Sequence, residues 1–89
     1  MLENRYKLRR DAVAWQQVDG ETVLLDLVSS TYLGANRTGS ALWTLLAEGA
    51  TQSELVDQLC AEFGAERGRA EADVDTFLQS CRDRGFLDR

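Results

Sequence analysis

Histidine, the commonest general base, is absent from this 89-residue chain, so neither a Ser-His nor a Cys-His pair can form within it. The thiols are Cys60 and Cys81, each set in an apolar helical stripe and neither part of a Cys-x-x-Cys pair. That context fits core thiols rather than a nucleophile or half of a zinc site. Carboxylates are plentiful, but most fall on polar helical faces where solvent is their ordinary partner. Gly34 and Gly39 stand alone, with no Lys-Ser or Lys-Thr after them, so no loop is built to cradle phosphate. Ser40, in Thr38-Gly39-Ser40-Ala41-Leu42, lacks the preceding acid of a serine that carries a phosphopantetheine arm. No catalytic residue, metal or cofactor is expected.

The chemistry left is that of the backbone. Residues 12–18 and 21–28 are rich in Val and Leu and read as strands, with Asp19-Gly20 between them. Asp-Gly supplies the positive φ angles of a two-residue hairpin turn. Ser29-Ser30 is a weaker turn before a third strand at residues 31–35. Strand order then gives way to helices. Asn36 or Thr38 opens the first, which runs to about Ala47 with Ala41, Leu42, Leu45 and Leu46 on one face. Thr51-Gln52-Ser53-Glu54 is a capping box for a second helix that Gly64 stops. A third spans about residues 68–84, with Ala70, Val74, Phe77, Leu78 and Cys81 on one stripe. Gly85 ends it, and Phe86 is expected to fold back onto the last turn. The fold class is α+β: a three-stranded antiparallel sheet followed by three helices, βββααα, as in a winged helix-turn-helix.

A meander that ends on a short strand beside helices leaves an edge. Residues 30–35 contain neither Pro nor Lys to block pairing, so an extended peptide could add there as a further strand. Charge bears on the partner. Ten basic residues against 15 acidic give a net −5. Residues 48–75 hold eight acids against Arg67 and Arg69, a local −6, and are a poor surface for a phosphate backbone. A recognition helix should offer Arg, Lys, Asn or Gln to base edges, whereas the second helix offers Gln52, Gln58 and acids, and the third Glu71, Asp73 and Asp75. A DNA-binding regulator is therefore the weaker alternative, and a peptide carrying Lys or Arg suits the acidic half better. Residues 1–11, with Arg5, Lys7, Arg9 and Arg10, read as a basic tail ahead of one domain at 12–89. Free thiols, no export-type apolar run and no membrane-length segment point to a soluble cytoplasmic protein.

Several of these runs together resemble the PqqD-like family, the peptide-recognition domains of pathways that modify ribosomally made peptides. They are Val23-Leu24-Leu25-Asp26-Leu27, Tyr32-Leu33-Gly34-Ala35-Asn36 with Thr38-Gly39, Leu42-Trp43 with Leu45-Leu46, and Gly49-Ala50-Thr51. The likeness continues through Glu54-Leu55-Val56, Leu59, Asp73-Val74, Phe77-Leu78 and Gly85-Phe86-Leu87. It implies a non-catalytic module that lays the leader segment of a precursor peptide along the third strand, against the third helix. Carried over by position, the strand is Ser30, Thr31, Tyr32, Leu33 and Gly34, and the helix wall is Ala70, Asp73, Val74 and Phe77. Ala35 departs from the larger aliphatic usual there. A free-standing domain most resembles the monomeric leader-binding protein of lasso-peptide systems, whose partners are a separate leader-cleaving cysteine protease and an ATP-dependent cyclase. The peptide chaperone of a radical enzyme in pyrroloquinoline-quinone synthesis is the nearest rival.

Overall fold

A computed structural model describes residues 4–88. Residues 13–35 form the expected meander: β2 (Val13–Val18), β3 (Glu21–Asp26) and β4 (Thr31–Ala35), paired antiparallel in the order β2-β3-β4. Asp19 (φ 53°) and Gly20 (φ 81°) close the first hairpin, both left-handed as a tight two-residue turn demands. The second connection is built on Asp26. Its Oδ1 accepts the amides of Val28 at 3.0 Å and Ser29 at 3.2 Å, while its carbonyl accepts the Ser30 amide at 2.7 Å.

Three helices follow: α1 (Arg37–Glu48), α2 (Gln52–Phe63) and α3 (Arg67–Asp83). Asn36 caps α1, its Oδ1 accepting the Gly39 amide at 2.9 Å. The Thr51/Glu54 capping box opens α2, and Gly64, at φ 65°, ends it in the left-handed region. At the end of α3, Gly85 takes φ 77° and the Phe86 amide reaches back to the Cys81 carbonyl at 2.9 Å. That bond turns Phe86 into the core, where it meets Trp43 edge-on at 5.9 Å.

The helices cover one face of the sheet. Val13 and Leu24 from the strands pack with Leu42, Trp43 and Leu46 of α1, Leu55 and Leu59 of α2, and Val74 and Leu78 of α3. The other face is open, with Val18, Val23 and Tyr32 exposed on it. No helix among the described residues is long and apolar enough to cross a membrane.

The basic lead-in is not a tail. Residues Arg5–Tyr6 form β1, which pairs antiparallel with β5 (Ala50–Thr51), between α1 and α2. Leu8 is buried and bridges Leu87, and the Arg9 amide donates to the Phe86 carbonyl at 2.7 Å. The Asp88 amide donates in turn to the Lys7 carbonyl at 2.8 Å, so the first and last described segments are pinned together. A two-residue strand has no periodicity to read, and its partners lie more than forty positions away, which is why local pattern misassigned it. Of the expected tail, residues 1–3 lie outside the described region.

Candidate functional site

With β3 on one side, β4 has no strand on its other side among the described residues. In an antiparallel ladder alternate residues turn their N–H and C=O groups outward, so β4 offers an unpaired edge. Beside it runs a groove of about 320 Å³. Leu33, Gly34 and Ala35 form its strand wall, with Leu24 beneath. Phe77, Ser80 and Cys81 of α3, with Arg84 as its C-cap, form the helical wall. Asn36, Gly39 and Trp43 line it from the start of α1, and Phe86 from the end of the chain.

Gly39 matters here for room. A methyl at this position would lie 3.4 Å from the Ala35 Cβ and 4.0 Å from the Phe77 ring, so the glycine keeps one end of the groove wide. Ala35 has the same effect from the strand side. Its small side chain is the departure noted in the sequence, and it leaves Phe77 half-buried and reachable rather than covered.

The groove lining is mixed in character. Ala35, Gly39 and Phe77 give it apolar surface beside the neutral Asn36, and Arg84 gives it a charge near Asp26, which lies outside the lining. Asp26 is the register partner of Thr31 and is nearly buried. The Ser29 backbone N–H, chiefly, holds its carboxyl below the ordinary value of 3.8, with help from Val28 and the nearby Arg84 guanidinium. Cys81 is buried under the groove, and burial pushes its thiol up to about 12. It is a packing sulfur, not a nucleophile. Among the described residues no group of three or more Cys, Asp or Glu is arranged to hold a metal ion.

The residues expected at the site divide. Leu33, Gly34 and Phe77 line the groove. Thr31 and Tyr32 lie on β4, but Tyr32 points to the opposite face of the sheet, 71% exposed in the row Ala14–Leu25–Tyr32. Ser30 is not in the strand: it sits in the preceding turn at φ 61°. Ala70 and Val74 are wholly buried core residues and form no wall. Asp73 is exposed one turn before Phe77, in a separate hollow with Thr38 and Arg69. The correction has one cause. The apolar stripe of α3 marks the face that packs into the core, and the groove is lined by the row at its margin. Phe77, Ser80 and Arg84 follow one another at spacings of three and four; Phe77 is among the expected wall residues, whereas Ser80 and Arg84 are polar and carry no apolar signal.

A sequence profile described as coenzyme PQQ synthesis protein D (PqqD) matches residues 21–87. Among solved structures, the chain is similar to one described as TbiB1 in complex with the TbiA(beta) leader peptide. The two share 39% identity and a TM-score of 0.83, over 92% of this chain and 94% of that one. A second, described as lasso peptide synthetase B1 complexed with the leader peptide, is 27% identical with a TM-score of 0.80, over 94% and 98% of the two chains. No curated protein matches the sequence.

Proposed function

The chain belongs to the PqqD family, and from that premise we propose that it is a non-catalytic module holding the leader segment of a ribosomally made precursor peptide. The peptide pairs as an added strand on the outer edge of β4. Side chains on one side of that strand enter the groove between β4 and α3, and those on the other extend the open face of the sheet. The observation that carries this reading is the coincidence of an unpaired strand edge with a groove open along it. That two similar proteins were solved with leader peptides supports it.

The same two likenesses favour lasso-peptide maturation as the setting. There the module hands its peptide to a separate leader-cleaving protease and a cyclase. Presentation to a radical enzyme in pyrroloquinoline-quinone synthesis is the second reading, favoured by the description of the family profile. The module itself works as a monomer in the cytoplasm and needs no cofactor.

Fluorescence anisotropy with a labelled leader segment, from the precursor encoded beside this gene, tests the proposal. Binding in the nanomolar-to-micromolar range is expected, about −12 to −8 kcal/mol. N-methylation of the peptide backbone, one position at a time, should weaken binding at alternate positions only, because half of an added strand's amides face the ladder. Uniform tolerance of N-methylation would exclude strand addition.

A further inference from the structure

Of the side chains lining the groove, Arg84 alone carries a charge. It makes no ion pair within 4.0 Å among the described residues. The carboxylate whose ionisation it assists, Asp26, already has its Oδ1 occupied by two turn amides. A guanidinium has five donors in a planar fork suited to carboxylates, and here it lines the cleft with Asp26 near it but not ion-paired to it. We propose that Arg84 is a specificity-determining residue that reads a carboxylate on the bound peptide. The inference rests on the peptide-binding reading of the groove, and it reverses the expectation that the ligand should be basic. The acids of the helical half lie on exposed helix faces, while the groove itself presents a cation.

Geometry adds a spacing rule. Phe77 and Arg84, the C-cap of α3, are seven residues apart, about 10 Å along the helix axis. Along an extended peptide, side chains on one face recur about every 6.7 Å. That distance falls between two residues of extended peptide, about 6.7 Å, and four, about 13.4 Å, so with an apolar side chain against Phe77 the reach of an Asp or Glu side chain must close the difference from either spacing. Odd spacings put the carboxylate on the far side of the strand. The needed carboxylate could instead be the terminal one of a cleaved peptide, and an amidated peptide separates the two sources.

The test is a double-mutant cycle. The labelled leader segment, a C-terminally amidated version, and versions with each Asp or Glu replaced singly by Asn or Gln are titrated against the wild type and Arg84→Gln. Arg84→Gln should weaken binding of the parent peptide roughly two- to five-fold, the range for a solvent-accessible charged pair. That loss should vanish for one peptide variant, the one lacking the carboxylate at even spacing from its apolar anchor. Arg84→Lys should recover part of the affinity, since it keeps the charge but not the fork. If Arg84 serves only to complement the negative end of α3, Arg84→Gln lowers the melting temperature, and any loss of affinity is the same for every peptide. That result, or unchanged binding by Arg84→Gln, overturns the proposal while leaving peptide binding intact. Failure of the wild type to bind the leader at all removes the peptide-binding reading and this inference with it. Loss of the coupling on amidation alone assigns Arg84 to a cleaved terminus and rejects the spacing rule.

Discussion

Phe77 and Val74 lie one helical turn apart and should answer differently to the same change. Val74 is wholly buried, so Val74→Ala should cost roughly 1–3 kcal/mol in denaturant unfolding and leave the affinity of the folded protein near wild type. Phe77 borders the groove, so Phe77→Ala should weaken leader binding about ten-fold or more with a smaller loss of stability. Equal effects of both changes on affinity would contradict the division of α3 into a core row and a groove row. Cys81 offers a second check. With its thiol raised to about 12 by burial, it should resist alkylation in the native protein and react only on unfolding, read by mass spectrometry. Asp26 gives a pH dependence. Its folded carboxyl titrates below the unfolded value near 3.8, so its stabilising contribution is complete above that value and is lost as pH falls through the folded one. The melting-temperature gap between wild type and Asp26→Asn should therefore be constant above about pH 5 and close in more acidic solution.

At the scale of elements, what was legible in the sequence was local. Asp19-Gly20, Thr51 with Glu54, and Gly85-Phe86 each state a turn or cap within four residues, and each is found where the residues put it. What was not legible was set by distant partners. Leu8 is a lone apolar residue among charges, and only Leu87, brought beside it by the fold, explains its burial. Leu8→Ala should accordingly destabilise the protein by about 2 kcal/mol or more, which a solvated tail would not do. The site was half legible for the same reason. Leu33 came with the resemblance as part of the strand, and alternation set Tyr32 on the face opposite to it without saying which face meets the helices. A helix has several faces, and Ala70 and Val74 were assigned to the cleft when their depth made them core. Arg84 went unnoticed because a charge near a helix C-terminus already has an ordinary explanation in the helix dipole.

The whole molecule is a sheet with one face used for folding, one face open, and two edge strands, β2 and β4, of which β4 borders the groove. Burying the inner face against three helices fixes β3, and β3 in turn pairs with β4, so the edge is formed in the absence of a ligand. Pinning the first and last described segments together through Leu8, Arg9, Phe86 and Leu87 holds the end of α3, and with it Arg84, at the mouth of the groove. A pre-formed edge of this kind loses little conformational freedom on binding, so most of the ordering cost falls on the peptide.

The central claim, strand addition at β4 over the groove, is tested most directly by following backbone amide shifts as the unlabelled leader segment is titrated into isotope-labelled protein. The account predicts the largest shifts at Thr31, Leu33, Gly34 and Ala35, with a second set at Phe77, Ser80 and Arg84, and new contacts between β4 and peptide α-protons. Shifts confined to α2 or to Ala14, Val23 and Leu25 on the open sheet face, with β4 unmoved, would contradict it.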